Sequence, residues 1–395
     1  MSNRRLETVK ITATFKLGRE IALPFRLYRQ MVNELLDYAH SRGITSFKRL
    51  KSERYRELRQ VYSELPSHYV YTACQMACSI YKSFRKLRRR GRIRREKPEF
   101  KKNVIMLDDH LFTIDLGGWK ASIATPNGRV EVKLLHGTYH EKFRGMRVHQ
   151  GWIVKRGDEL YLKAVFSREV EIYEPDGRAV AVDINENNVT FGSEKRIEKI
   201  VTKERAIRTA YFLKRRRIHS KPRLNEKPIL RKYKGREWRR IKEIYHKVAD
   251  KIIKVAREEE ATTIILENLR NIRRRIKKSR ELNGRLHRWS FKRLQSIIEY
   301  KAKLNSLHIV YVKAKGSSSY CPVCGGRLSP NGQYRRLRCE KCRFEEDRDV
   351  IAVLNLLKRY RIDVPASPVH GESPPMKRGE KTLAKVSYVP NASES

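Results

Sequence analysis

The feature that most restricts the fold of this chain is a pair of Cys-x-x-Cys segments near its C-terminus. They are Cys321-Pro-Val-Cys324 and Cys339-Glu-Lys-Cys342, separated by 14 residues. Each segment holds two thiolates on a tight turn, and two such turns close a tetrahedral Zn2+ site. The spacer falls just short of the usual zinc-ribbon range and within its tolerance. Gly325 and Gly326 suit the turn after the first pair, and Arg327, Arg335, Arg336, Arg338, Lys341 and Arg343 lie close enough in sequence to offset the negative charge of four thiolates. A closed set of four cysteines leaves no open coordination position, so zinc here is expected to be structural. Cys74 and Cys78, four apart on an apolar helical segment without a second pair, are expected in the core. This is not the cysteine pattern of a secreted disulfide framework, and a reducing cytoplasm is the natural setting.

Charge limits the partner. With 90 Lys and Arg against 44 Asp and Glu, the chain carries a formal net charge of +46. A compact protein so charged repels itself unless a polyanion lies against it, and this much charge suits a long nucleic-acid backbone. No run of about 18 apolar residues exists, so no membrane span is expected. The N-terminus leads straight into a strand-like segment without a signal-peptide core.

Periodicity divides the chain. Residues 8–17 alternate as a strand, and helical spacing follows from about Pro24 to Arg95. One stripe there is Met31, Leu35, Leu36 and Tyr38; another is Tyr71, Met76, Ile80, Phe84 and Leu87. Short strands with turn signals are expected at 104–107, 111–115, 130–135, 147–155 and 159–166. The reading is an N-terminal β-barrel (residues 1–20 and 104–175) interrupted by a helical insertion (21–103). A Pro/Gly break near Pro175-Asp176-Gly177 opens a second region, 176–365. It holds the strands 179–183, 189–192 and 196–201, a long basic helical stretch broken around Pro222–Pro228, and the strand 262–267. The helix 290–304, the strand 308–313, the cysteine insert (318–345) and a final helix 350–360 follow. Residues 366–395 read as a disordered tail. The fold class is α+β multidomain.

Basic tracts lie at Lys82–Lys102 (12 Lys/Arg), Lys203–Arg257 (21 Lys/Arg against five acids) and Arg270–Lys278. Tyr81, Phe84, Phe100, Tyr211, Tyr233 and Trp238 lie in or near them as candidates for base stacking or for packing. Three acids break the basic pattern at element ends: Asp183 and Glu267 closing apolar strands, Asp349 opening a helix. Carboxylates ending adjacent strands can converge on Mg2+ for phosphodiester hydrolysis. His136 and His140 lack a matching ligand pair, and there is no Gly-rich phosphate loop.

Ala181-Val-Asp183-Ile-Asn-Glu-Asn-Asn188, Leu266-Glu267-Asn268-Leu269 and Asp347-Arg-Asp349-Val-Ile-Ala-Val-Leu-Asn355 resemble the three segments of a RuvC-like nuclease core. The cysteine insert falls between the second and third, and Trp289-Ser-Phe-Lys-Arg-Leu294 strengthens the likeness. Together they resemble the TnpB (OrfB) proteins of insertion sequences, relatives of compact type V CRISPR effectors. The specific motifs cover about 179–360.

The resemblance implies an RNase H-like core with Asp183, Glu267 and Asp349 as catalytic Mg2+ ligands. It also implies a guide RNA from the same element and a double-stranded DNA target beside a short flanking motif. The basic tracts would then wall a channel for guide and heteroduplex. A prokaryotic cytoplasm and roles in transposition or DNA recombination follow from the same likeness. Ile351 stands where the family usually has Asn. Two alternatives stay open: an RNA-guided DNA-binding protein that has lost cleavage, and a transposase or structure-specific nuclease that needs no RNA. Oligomeric state is not readable.

Overall fold

The computed structural model describes residues 4–220, 225–269, 279–313, 316–363 and 385–389. The chain splits into two compact units, Thr8–Glu169 and a second made of Met1–Glu7 with Val170–Ser395.

The first unit runs β1 (Arg4–Leu17), α1 (Phe25–Ser41), α2 (Phe47–Val61), α3 (Ser67–Arg89), β2 (Val104–Leu107), β3 (Phe112–Asp115), β4 (Lys120–Thr125), β5 (Gly128–Leu135), α4 (Thr138–Glu141), β6 (Arg147–Arg156) and β7 (Glu159–Tyr173). Its sheet has the order β2-β6-β7-β1-β5-β4-β3. Phe112 of β3 lies so close to Gly151 of β6 that a Cβ at Gly151 would sit 2.9 Å from its ring. The strand β4 is absent from the sequence expectation. Its Ala121, Ser122 and Ala124 are weak strand formers, and pairing with β3 and β5 overrides that preference.

α1 packs on α3. The buried stripe of α3 is Tyr69, Val70, Ala73, Cys74, Ala77, Cys78, Tyr81 and Phe84. The expected line through Tyr71, Met76, Ile80 and Leu87 is half-buried instead. The small Ala and Cys side chains let the helices approach, and they displace the larger residues to the flanks. Cys74 and Cys78 are free core thiols, and burial pushes the Cys74 thiol up to about 12, far from thiolate reactivity.

The second unit continues with β8 (Ala179–Ile184), β9 (Asn188–Gly192), β10 (Arg196–Val201), α5 (Glu204–His219), α6 (Glu226–Glu258), β11 (Thr263–Asn268), α7 (Arg280–Arg288), α8 (Phe291–Leu304), β12 (His308–Lys313), β13 (Leu328–Asn331), β14 (Gln333–Cys339), β15 (Glu345–Asp347), α9 (Arg348–Asp363) and β16 (Lys385–Val389). The main sheet has the order β12-β11-β8-β9-β10-β16. β11 runs parallel to β8 and β12, and β9 is antiparallel to β8 and β10. At the β9–β10 turn a Cβ on Gly192 would stand 2.0 Å from the Arg196 carbonyl oxygen, so no side chain fits there.

Period-two alternation sends the strand residues to two cores. Val180, Val182, Ile264 and Leu266 pack with α6 and α8, whereas Ala179, Ala181 and Ile265 pack with α9. A buried ionic network ties α5 to α6: Arg208 pairs with Glu204 (2.5 Å) and Glu237 (3.3 Å), Arg215 pairs with Glu237, and the Tyr245 hydroxyl donates to Glu204 at 2.7 Å. Arg208 and Arg215 belong to the second basic tract, so part of that charge serves the interior.

Pro228 sits in the first turn of α6, where its missing N–H costs no helical bond. The tract 270–278 lies outside the described residues. So does most of the expected disordered tail, but Lys385–Val389 within it pairs in parallel with β10. Val386, Tyr388 and Val389 are strong strand formers, and β10 otherwise presents an open edge.

Candidate metal centres

The alternation that fills the α9 core also aims the acids. Asp183 follows Ala179 and Ala181 on β8, and Glu267 follows Ile265 on β11, so both carboxylates share the face that α9 covers. Asp349 lies in the first turn of α9, whose start is tied by the Asp349 N–H donating to Asp347 Oδ1 at 2.8 Å. Asp183, Glu267 and Asp349 are each only 6% exposed.

Asn185 joins two of them. Its Nδ2 donates to Asp183 Oδ2 at 2.6 Å and to Asp349 Oδ1 at 3.3 Å. Glu267 Oε1 accepts from the Ser317 hydroxyl at 3.0 Å. Lys199 Nζ of β10 lies 2.7 Å from Asp349 Oδ2 and 3.1 Å from Asp347 Oδ2, and Arg335 of β14 also pairs with Asp349. Among the described residues neither Asp183 nor Glu267 has an ion-pair partner.

Burial, then the neighbouring charges of Glu267 and Asp349, hold the Asp183 carboxyl well above its usual range. Burial pushes Glu267 up to about 7, with the Ser317 hydrogen bond and Arg359 pulling the other way. Buried, apposed carboxylates resist ionisation until a cation stands between them. The donors are hard oxygens, the kind Mg2+ takes. Among the described residues only the four cysteines bring three or more His, Cys, Asp or Glu ligand atoms within 4.8 Å of one another. The three carboxylates do not approach one another that closely.

Asn185, Lys199, Ser317 and Arg335 are the members of this cluster that the sequence does not single out for it. Asn185 falls inside the first acidic segment, two residues beyond Asp183, and that spacing is the available signal. Lys199 and Ser317 carry none. Ile351 is fully buried, and the amide standing among the acids comes from Asn185.

The cysteines converge as their spacing requires. Cys321 and Cys342 sulfurs are 3.5 Å apart, Cys324 and Cys339 sulfurs 3.4 Å, and all four lie within 4.8 Å. Four sulfurs about 2.3 Å from a tetrahedral Zn2+ would be about 3.8 Å apart, so the set fits that ion. Cys321 N–H donates to the Gly326 carbonyl and Cys339 N–H to that of Phe344, both at 2.8 Å, closing the two turns. A Cβ on Gly326 would meet the Cys339 and Cys324 sulfurs at 3.2 and 3.3 Å. β13, β14 and β15 form the small sheet beneath.

The candidate stacking aromatics divide. Tyr81, Phe84 and Phe100 are buried and serve packing, because their helical and loop positions face the α1–α3 core. Tyr211 and Tyr233 are half-buried, and Trp238 is 45% exposed with Arg293 over its ring at 5.4 Å. His136 stacks on Trp119 at 4.0 Å, and His140 Nε2 contacts the Thr14 carbonyl, so neither is held as a metal pair.

The chain is similar to several known proteins. The family model described as "Cas12f1-like, TNB domain" matches residues 291–356, from α8 through the cysteine ribbon into α9. A second, described as "Uncharacterized protein MJ0013 family", matches residues 25–123. The CRISPR-associated endodeoxyribonuclease Cas12f1 of an uncultured archaeon is 33% identical over 102 residues, 24% of this chain and 19% of that one. The solved structure of CasPhi-2 (Cas12j) bound to crRNA and phosphorothioate-DNA aligns with TM-score 0.46 and 9% identity, covering 91% of this chain and 92% of that one; at that distance it carries no inference. TnpB-like protein MJ0751 of Methanocaldococcus jannaschii is 33% identical over 257 residues, 60% of this chain and 89% of the relative. With nearly the whole of that relative covered, the chain belongs to the TnpB-like protein family.

Proposed function

We propose that this chain is an RNA-guided DNA endonuclease whose cleavage site is the cluster of Asp183, Glu267 and Asp349. One observation carries the reading: three acids from distant segments gather at one end of a sheet face and the helix that covers it, two of them linked through Asn185. Asp183 and Glu267 are buried without an ion pair within 4.0 Å among the described residues, in a chain of net charge +46; Arg348 and Arg359 act on them only from farther off. A protein that only bound a polyanion would gain nothing from acids there, because they repel phosphate unless a cation intervenes.

Asp183 and Glu267 would hold Mg2+, with Asn185 and Ser317 orienting their carboxylates. The ion, when bound, supplies an activated water and a stabilised 3′ leaving oxygen for phosphodiester hydrolysis. We read the β8–β12 sheet with α6, α8 and α9 as the RuvC-like core, and the seven-stranded sheet of the first unit as the wedge-like barrel. Residues 21–103 form its helical insertion. The four-cysteine ribbon holds structural zinc. Exposed basic residues on α3, α5 and α6 would track guide and heteroduplex backbones.

The clasp of Lys199 and Arg335 on Asp349, with Ile351 in place of the family's Asn, favours a second reading, binding without cutting. Sequencing the RNA that co-purifies, then offering a matching plasmid with Mg2+, decides between them. A discrete RNA and cutting of the matched plasmid are expected. Matched binding without cutting leaves only the second reading, and the absence of any discrete RNA sinks both.

A further inference from the structure

Three strands build a polar row beside the acids. Asp183 of β8 stands opposite Thr190 of β9, and Thr190 stands opposite Lys199 of β10. Directly paired residues of antiparallel strands share a face, so all three point toward α9. Thr190 is fully buried, and among the described residues its Oγ1 has no hydrogen-bond partner. The Lys199 side chain is 11% exposed, and its ammonium bridges Asp349 Oδ2 and Asp347 Oδ2. Arg335, the other cation on Asp349, is 54% exposed and free to swing into solvent. Lys199 is held on a central strand and is not.

We infer that the Lys199 ammonium fills one of the two cation positions such an acid cluster offers, so the site takes a single divalent cation on its Asp183–Glu267 side. This rests on the metal reading proposed above. Lys199 commits one oxygen of Asp349. The other accepts from Asn185, which also donates to Asp183, so Asp349 positions Asn185 and Asp183. Asp183 and Glu267 keep their remaining oxygens for an ion, and the unpartnered Thr190 hydroxyl can bond a water of its shell. Charge agrees. Lys199 and Arg335 offset the charges of Asp347 and Asp349, and the two carboxylates left over, Asp183 and Glu267, match one divalent cation. Paired-metal sites hold their ions about 4 Å apart, bridged by shared carboxylates. Here the acid that would face the second ion is already bridged by an amine.

The test is a count of Mn2+ bound to the zinc-loaded full-length chain, followed by the electron paramagnetic resonance of free Mn2+. The Asp183→Asn, Glu267→Gln double variant supplies the background. The unsubstituted chain and Lys199→Arg should each bind one ion above background. Lys199→Met and Lys199→Gln should bind two, the second ion replacing the ammonium. Lys199→Gln keeps an amide donor for the Asp347–Asp349 pair and serves if Lys199→Met does not fold. Two ions in the unsubstituted chain would overturn the proposal, as would one ion in both neutral variants. No ion above background in the unsubstituted chain would sink the metal reading of the acids itself, a separate failure.

Discussion

The cysteine ribbon and the acid cluster assemble their side chains by opposite routes. The ribbon draws its ligands from 22 residues of chain, on turns whose own backbone hydrogen bonds aim the sulfurs. The acid cluster joins Asn185 to Asp349 across 164 residues, and what aligns them is the sheet face and the helix packed on it. A local site depends on its ion and its turns, while a distributed one depends on the core. Disturbing each support in turn should damage one site and spare the other.

The largest effect is expected from zinc loss. Structural zinc in isolated fingers contributes about 10–16 kcal/mol, so Cys339→Ser should lose the metal and melt the ribbon. Zinc content and Tyr or Trp fluorescence check this, and a full zinc complement in the variant would remove the assignment. Next is Leu356→Ala, in the α9 core. Emptying that site should cost about 2–5 kcal/mol in thermal or denaturant unfolding and lower cleavage by loosening Asp349, with the zinc content unchanged. Zinc lost along with stability would show that the two sites are not independent.

Gly326→Ala should act the other way. Its methyl crowds two sulfurs and should weaken zinc retention about tenfold in chelator competition, with stability of the main sheet preserved. The smallest effect concerns the Glu204 network, which supports the sheet from its far side. Burial raises the Glu204 carboxyl above its ordinary 4.5, despite Arg208 and Tyr245. In the window from 4.5 up to that raised value the folded chain holds more protons than the unfolded chain. Stability from this group therefore falls as pH rises. Glu204→Gln should flatten that part of the melting-temperature profile, and an unchanged slope would contradict this sign.

The same contrast explains what can be read from the residues alone. The Cys-x-x-Cys pairs carry their geometry in their spacing, and so are legible as a metal site at once. Asp183, Glu267 and Asp349 are legible as candidates because each ends an apolar segment, and their partners are not. Lys199 looks like any solvated strand lysine until β10 is placed beside β9, and Ser317 lies in a loop whose course is set by tertiary contacts. The α3 stripe falls a fraction of a turn from its expected line because hydrophobic size favours Met76 and Ile80, while close helix packing selects Ala73, Cys74 and Ala77. β4 is invisible in the sequence because alanine and serine form strands only when neighbours supply the ladder. The fold of each strand pair is largely local information; the polar company of the acids is not.

The most direct test of the central claim compares Asp183→Asn with the unsubstituted chain, each carrying its guide RNA, for matched-plasmid cutting and matched-duplex binding in the same Mg2+ buffer. Cleavage should fall about a thousandfold or more, the scale on which essential catalytic groups act, with binding unchanged. Cutting at an undiminished rate by the Asp183→Asn chain would contradict the assignment of the acid cluster as the cleavage site.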